Sequence, residues 1–255
     1  LRCGKEPELA RAANQIQGKG IAISRSVPIA LRGNNQHTET WYPSAFPEAD
    51  EDLLMRLGDL YKNDTFLNQH LQSLVQQKQN PAMQMKEKRR PNFTYLAERC
   101  GELLANDPAA NCAMLELGGW DTHTNQSGRL ARLFTQLDKG LEKMQQALDS
   151  TWDDTLVIIN TEFGRTVAVN GTQGTDHATA STMFFAGGAM QKFRKGHPVK
   201  GGEVLGKWPG LAKVYLYDER DLMPTCDSGL WIADALKAHL NWGPSSIKQL
   251  FPDFE

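Results

Sequence analysis

The sequence predicts an α/β fold with a mainly parallel central sheet. Three apolar runs point to it, over 112–117, 156–160 and 183–186, each of a length that suits a buried strand. Between the first two lies a helix-period stripe of Leu130, Leu133, Phe134, Leu137, Leu141, Met144 and Leu148. A further helix is expected over 230–240. Strand, helix, strand, strand and helix in that order is the pattern of helices packed on a largely parallel sheet. No internal repeat, low-complexity tract or composition break divides the chain. Residues 1–255 therefore read as one domain, with 49–92 as a helical insertion.

The elements follow in order. Residues 1–48 read as irregular, with short strands at Ile21-Ala-Ile-Ser24 and Val27-Pro-Ile-Ala-Leu31, broken by Pro28 and Gly33-Asn-Asn35. Pro43 and Pro47 mark a loop, and the charged run from Glu48 opens a helix. Leu53, Leu54, Leu57, Leu60, Tyr61, Leu67, Leu71, Leu74 and Val75 recur at three- and four-residue spacing, which predicts a helical hairpin or one interrupted helix, with the break near Lys62-Asn-Asp64. Residues 76–90 are polar and basic, so Lys86, Lys88, Arg89 and Arg90 read as solvated surface charge. Phe93, Leu96, Ala97, Cys100, Leu103 and Leu104 predict an amphipathic helix that stops before Asp107-Pro108. The run over 156–160 is continuously apolar, as in a strand covered on both faces.

A chain of 255 residues with 40% hydrophobic content can bury a sizeable core. Its net charge of -2 includes no basic block, which removes the electrostatic support for a nucleic-acid partner. No apolar run approaches the roughly 18 residues of a membrane span. Cys3, Cys100, Cys112 and Cys226 are scattered and form no CxxC pair, so a zinc site built from them is not expected. An oxidising compartment would allow one disulfide, for instance Cys100–Cys112. The simpler reading is isolated thiols packed as small hydrophobes.

The chemistry gathers where apolar runs end. Asp121 and His123 flank one residue, so an extended backbone points both side chains the same way. A carboxylate oxygen with an imidazole nitrogen suits zinc, manganese or iron, whereas an all-oxygen set suits magnesium or calcium. Glu162 directly follows the most apolar run, and ligands in open α/β sheets collect at the carboxyl ends of strands. Asp176 and His177 are adjacent; in an extended loop they point apart, onto different ions or with one behind the other. Arg165 has the fork geometry to clamp an oxyanion such as phosphate or sulfate. A pairing of Glu162 with Arg165 on a helix turn, and loop or capping roles for Asp176 and His177, are the plainer alternatives. His37, His70, His197 and His239 lack a carboxylate at ligand spacing and read as surface or packing residues. No Gly-x-Ser-x-Gly, GxGxxG or GxxxxGK[ST] occurs, which removes the sequence support for a serine-hydrolase elbow or a nucleotide site.

Leu115-Glu-Leu-Gly-Gly-Trp-Asp-Thr-His123, Thr161-Glu-Phe-Gly-Arg-Thr166 and Gly174-Thr-Asp-His177 together resemble the uncharacterised bacterial family DUF1501, of the alkaline phosphatase-like superfamily. Lys200-Gly-Gly, Val204-Leu-Gly-Lys-Trp-Pro-Gly-Leu211 and Asp221-Leu-Met-Pro-Thr-Cys-Asp227 add to it, and the likeness covers most of 20–254. The resemblance implies a three-layer α/β/α sandwich that hydrolyses small or polymeric phosphate or sulfate esters with divalent metal ions. Asp121, His123 and His177 would hold a first ion. Glu162 would serve a second, with Phe163 where the superfamily usually has histidine, a departure that weakens the second site or shifts its work to Asp176. The resemblance also implies an earlier strand carrying an Asp ligand and then a nucleophile, behind a twin-arginine export signal. The sequence shows neither, so the expectation is an N-terminally incomplete domain of a periplasmic or exported protein. A non-catalytic exported binding or assembly protein that keeps the fold is the alternative.

Overall fold

The computed structural model describes residues 8–33, 38–43, 51–79, 91–194 and 202–252. Cys3, His37, Pro47, Glu48, Lys86, Lys88, Arg89, Arg90, His197 and Lys200 lie outside the described residues.

Helix α1 (Glu8–Gln15) precedes β1 (Lys19–Ala22), and β2 (Thr38–Thr40) follows. Helices α2 (Glu51–Tyr61), α3 (Thr65–Gln79) and α4 (Phe93–Asn106) lead to β3 (Ala110–Met114) and then to the long α5 (Gln126–Leu148). Short strands β4 (Val157–Ile159), β5 (Gly164–Arg165), β6 (His177–Ala178) and β7 (Phe184–Ala186) come next, and α6 (Ser228–Leu240) and α7 (Pro244–Leu250) close the chain.

A parallel sheet in the order β2-β1-β3 organises the first half. Gly20 stands opposite Thr38 on one side and Cys112 on the other, so β1 is the central strand. That position explains why Ile21, Ala22 and Ile23 are buried in succession. Lys19 begins the strand and pairs with Glu39 at 2.6 Å and Asp107 at 2.8 Å, tying both flanks of the sheet to its centre.

Over this sheet lies the α4–α5 pair. Asn92 caps α4 by accepting the Tyr95 amide at 2.9 Å. Leu96, Ala97, Cys100 and Leu103 then recur along one face and enter a core with Ile21, Ile23, Trp41, Met144 and Leu148. Burying a side chain such as Leu103 contributes roughly 1.5–3 kcal/mol. Helix α5 approaches so closely that a Cβ on Gly101 would lie 2.8 Å from the Met144 carbonyl oxygen.

Several expectations change. The strand expected over 27–31 is a single 3-10 turn, Ile29–Leu31, with the Leu31 amide bonded to the Pro28 carbonyl at 3.0 Å. Pro28 has no N–H to give a ladder, and its ring sets up the turn instead. The irregular start contains α1, whose buried face is Ala10, Ala12 and Ala13; so weak an apolar stripe is hard to read. It packs on α7, with Arg11 Nε donating to the Leu250 carbonyl at 2.8 Å. Two helices form with the break where expected, and Asp64 accepts the Leu67 amide at the start of α3. Of its stripe Leu71 is buried, while Leu53, Leu60, Leu67 and Leu74 are exposed.

The larger change concerns the second half. Strands β4 and β7 pair antiparallel, Val157 opposite Ala186 and Ile159 opposite Phe184, and among the described residues they form their own two-stranded ribbon. Parallel neighbours need a crossover, usually helical. The segment between β4 and β7 contains instead the antiparallel β5–β6 pair, which turns the chain back. Leu156 and Phe185 pack on α6 through Ala235, Trp231 and Ala238. Cys100, Cys112 and Cys226 are free thiols, and burial pushes both Cys100 and Cys112 up to about 12. Among the described residues, no helix is long and apolar enough to cross a membrane.

Candidate metal centre

Beyond β3 the chain passes Gly119, whose φ of 97° only glycine adopts readily, and reaches residues 121–123. Thr122 is fully buried, and its carbonyl accepts the Thr175 amide at 3.3 Å. With Thr122 turned inward, its neighbours Asp121 and His123 turn outward together, with side chains 53% and 44% exposed. His177 arrives from β6, where the antiparallel register sets it directly opposite Arg165.

The three side chains meet at one carboxylate oxygen. Asp121 Oδ1 lies 2.8 Å from His123 Nε2, 2.7 Å from His177 Nε2 and 2.7 Å from Arg165 Nη2. One ligand atom from each of Asp121, His123 and His177 falls within 4.8 Å of the other two. Donors about 2.0–2.1 Å from a tetrahedral ion stand about 3.4 Å apart, so the observed spacing fits an ion after a small outward movement.

His123 gives the fit a chemical reason. Its Nδ1 lies 3.1 Å from Asp176 Oδ1 while its Nε2 faces Asp121. A neutral imidazole has one N–H and can donate to only one of two carboxylates. With Nδ1–H given to Asp176, Nε2 turns a lone pair toward an anionic oxygen. A cation between them relieves that repulsion. A carboxylate behind a histidine is also how proteins fix the tautomer and orientation of a metal-binding imidazole.

Residues 170–174 hold the site together. Asn170 donates through Nδ2 to the His123 carbonyl at 3.1 Å, and its Oδ1 accepts the amides of Thr172 and Gly174, each at 3.0 Å. Thr172 Oγ1 reaches the same His123 carbonyl at 2.7 Å. The carbonyls of Thr172 and Gln173 accept the amides of Asn125 and Gln126 and so satisfy donors at the start of α5, where Asn125 provides no side-chain cap. Gly174 lies so near His123 that a Cβ would stand 2.1 Å from its carbonyl oxygen.

The family described as "Protein of unknown function (DUF1501)" matches residues 24–235, which include every residue of this cluster. The chain belongs to the DUF1501 family. No curated protein and no solved structure matches it. Helix α7 of this DUF1501 chain lies beyond the matched stretch, as does α1.

The other residues singled out in the DUF1501 sequence sit as follows. Asp176 stands behind His123, outside the group of three. Its carboxyl is held below the usual carboxylate range by the His123 contact first and then by Asn170. The Asp121 carboxyl is likewise held low, by His177 above all and then by Arg165 and His123. Glu162 is exposed and outside the group. Arg165 directs Nη1 to the Thr175 carbonyl and Nη2 to the Trp120 carbonyl and Asp121, each at 2.7–2.8 Å. Its guanidinium lies over the Phe163 ring at 5.0 Å, and Phe163 in turn stacks on His177 at 4.1 Å and 16°. Phe163 thus steadies the His177 ring, at a position where the resemblance implied a histidine. Sequence reasoning missed Asn170 as a hub, although Asn170-Gly171 is a turn signal. It also missed Arg220, which donates to the His177 carbonyl at 2.9 Å and carries no sequence signal of its own.

Proposed function

We propose that the protein is a metal-dependent hydrolase of phosphate or sulfate esters, built on an alkaline phosphatase-like α/β/α scaffold. The observation that carries this reading is the convergence of Asp121, His123 and His177 on one point, with Asp176 on the far nitrogen of His123. One carboxylate with two imidazoles favours zinc, with manganese or iron next and magnesium or calcium less suited. Three protein donors on an open surface are the donor count of catalytic rather than structural zinc. When bound, such an ion supplies Lewis acidity toward an ester oxygen and lowers the pKa of water.

The chain's own residues have separable work. Asp121, held ionised by its neighbours, would be the anionic donor. Asp176, 3.1 Å from His123 Nδ1, would keep the proton on that nitrogen and free Nε2. Phe163 and Arg165 hold the His177 ring and the Asp121 carboxylate in place. A second reading, a non-catalytic exported binding or assembly protein, draws on one observation: Glu162 stands apart from the group, leaving a single cluster of three donors among the described residues.

Metal content separates the two readings. The hydrolase reading expects near-stoichiometric zinc, manganese or iron by elemental mass spectrometry, together with ion-dependent turnover of p-nitrophenyl phosphate or p-nitrophenyl sulfate. A metal-replete preparation that holds no ion would move the assignment to the binding protein.

A further inference from the structure

We infer that Arg220, rather than Arg165, is the side chain that receives the oxyanion of a ligand at this centre, and that the ligand's recognised group is a tetrahedral phosphate or sulfate. The inference rests on the hydrolase reading for its setting but on its own geometry for the residue.

An arginine that binds an anion must have N–H donors left over and must be reachable. Arg165 fails on access: its side chain is 17% exposed, its two terminal nitrogens already serve two carbonyls and Asp121, and its unpartnered Nε is buried. Arg220 is 56% exposed. It spends one N–H on the His177 carbonyl at 2.9 Å and forms an ion pair with Asp221 at 3.4 Å. A guanidinium carries five N–H donors, so most of the fork remains available among the described residues.

The backbone fixes Arg220 beside the cluster. Tyr217 and Asp221 form an isolated antiparallel bridge, and Asp218 and Glu219 between them both adopt left-handed conformations, φ 50° and 55°. Such a tight turn has little freedom to relocate its third loop residue. Asp221, 5% exposed, anchors the turn by bridging to Thr166 and accepting the Thr179 amide at 3.3 Å. The Arg220 carbonyl accepts the Val167 amide at 3.3 Å. Glu219 does not neutralise its neighbour, because Lys213 holds it at 2.6 Å. Arg220 is therefore tied to β6 through the His177 carbonyl and to the segment after β5 through the Val167 amide, beside the residues that carry the centre.

Charge points the same way. Asp121, Asp176 and Asp221 face Arg165 and Arg220, so a divalent ion leaves the neighbourhood with a net positive charge that an oxyanion would offset. Phosphate and sulfate match the planar fork with two parallel N–H···O bonds.

The test is calorimetric titration of inorganic phosphate, and separately sulfate, into the zinc-loaded full chain and into Arg220→Met, Arg220→Lys and Arg165→Met. Metal content is measured on each. The expected result is that Arg220→Met keeps its ion but binds phosphate roughly tenfold or more weakly, with partial recovery in Arg220→Lys. Arg165→Met should weaken the ion itself. Undiminished phosphate affinity in Arg220→Met, loss of its ion, or no phosphate binding by the unsubstituted protein would each overturn the inference. Arg220-dependent phosphate binding in a chain that takes up no metal would sink the hydrolase reading while sustaining the anion assignment.

Discussion

Asp176 lies 3.1 Å from the Nδ1 of His123, on the side of the ring away from Asp121. It is placed to orient the imidazole rather than to join the three converging donors. Replacing Asp176 with alanine should weaken metal affinity by about 10–100-fold, the usual cost of losing a ligand's supporting partner. Asp176→Asn keeps an oxygen acceptor and should lose less. Competition against a chromophoric chelator measures both.

The donors themselves should behave differently. Asp121→Ala and His123→Ala are each expected to abolish tight binding of the ion. His70→Ala should leave it intact, because His70 lies on α3, bonded to the Phe66 carbonyl at 2.9 Å and packed on the Phe66 ring. Equal metal content in all three variants would remove the site assignment.

A methyl group at position 174 tests the loop. The Cβ of Gly174→Ala would collide with the His123 backbone, which cannot yield as a flexible side chain would. The expected cost is about 1–3 kcal/mol of stability, as for other overpacked positions, together with weaker metal binding. Thermal unfolding of the metal-free protein separates the first effect from the second.

Away from the site, the Lys19–Asp107 pair should give a readable pH dependence. Burial alone would push the Asp107 carboxyl up, but Lys19 at 2.8 Å and the amides of Ala109 and Ala110 outweigh it and hold it low. Its contribution is complete above the unfolded value of about 3.9 and is lost as pH falls through the lower folded value. Burial would lower Lys19, but Asp107 and Glu39 raise it, so its share persists to alkaline pH and is lost only as pH rises through the elevated folded value. Asp107→Asn should therefore cost about 1 kcal/mol near neutrality, with the Tm difference from the unsubstituted chain narrowing below about pH 4.

The sequence was most legible where a short-range rule sufficed. Asp121 and His123 share a face because they are two apart, and α4, α5 and α6 follow stripes dense enough to set their faces. The partnership between β4 and β7 was not legible, because strand direction depends on what the intervening chain does rather than on the apolar run. Asp176 could be placed near the site but not given its role, since which nitrogen of His123 it meets is set by the 170–174 loop. Arg220 was invisible for a related reason. It reaches the centre through a turn anchored by buried Asp221, a long-range contact no local pattern announces. Glu162 shows the converse, a residue with the right address at a strand end that stands apart from the cluster.

The first amides of α5 are held by Thr172 and Gln173, carbonyls of the same loop whose Asn170 grips His123. Opening the cluster is therefore expected to fray that helix end as well, because one loop holds both. Deuterium uptake at Asn125 and Gln126 becomes a built-in gauge of how firmly the cluster is closed, readable on the whole protein without any added ligand.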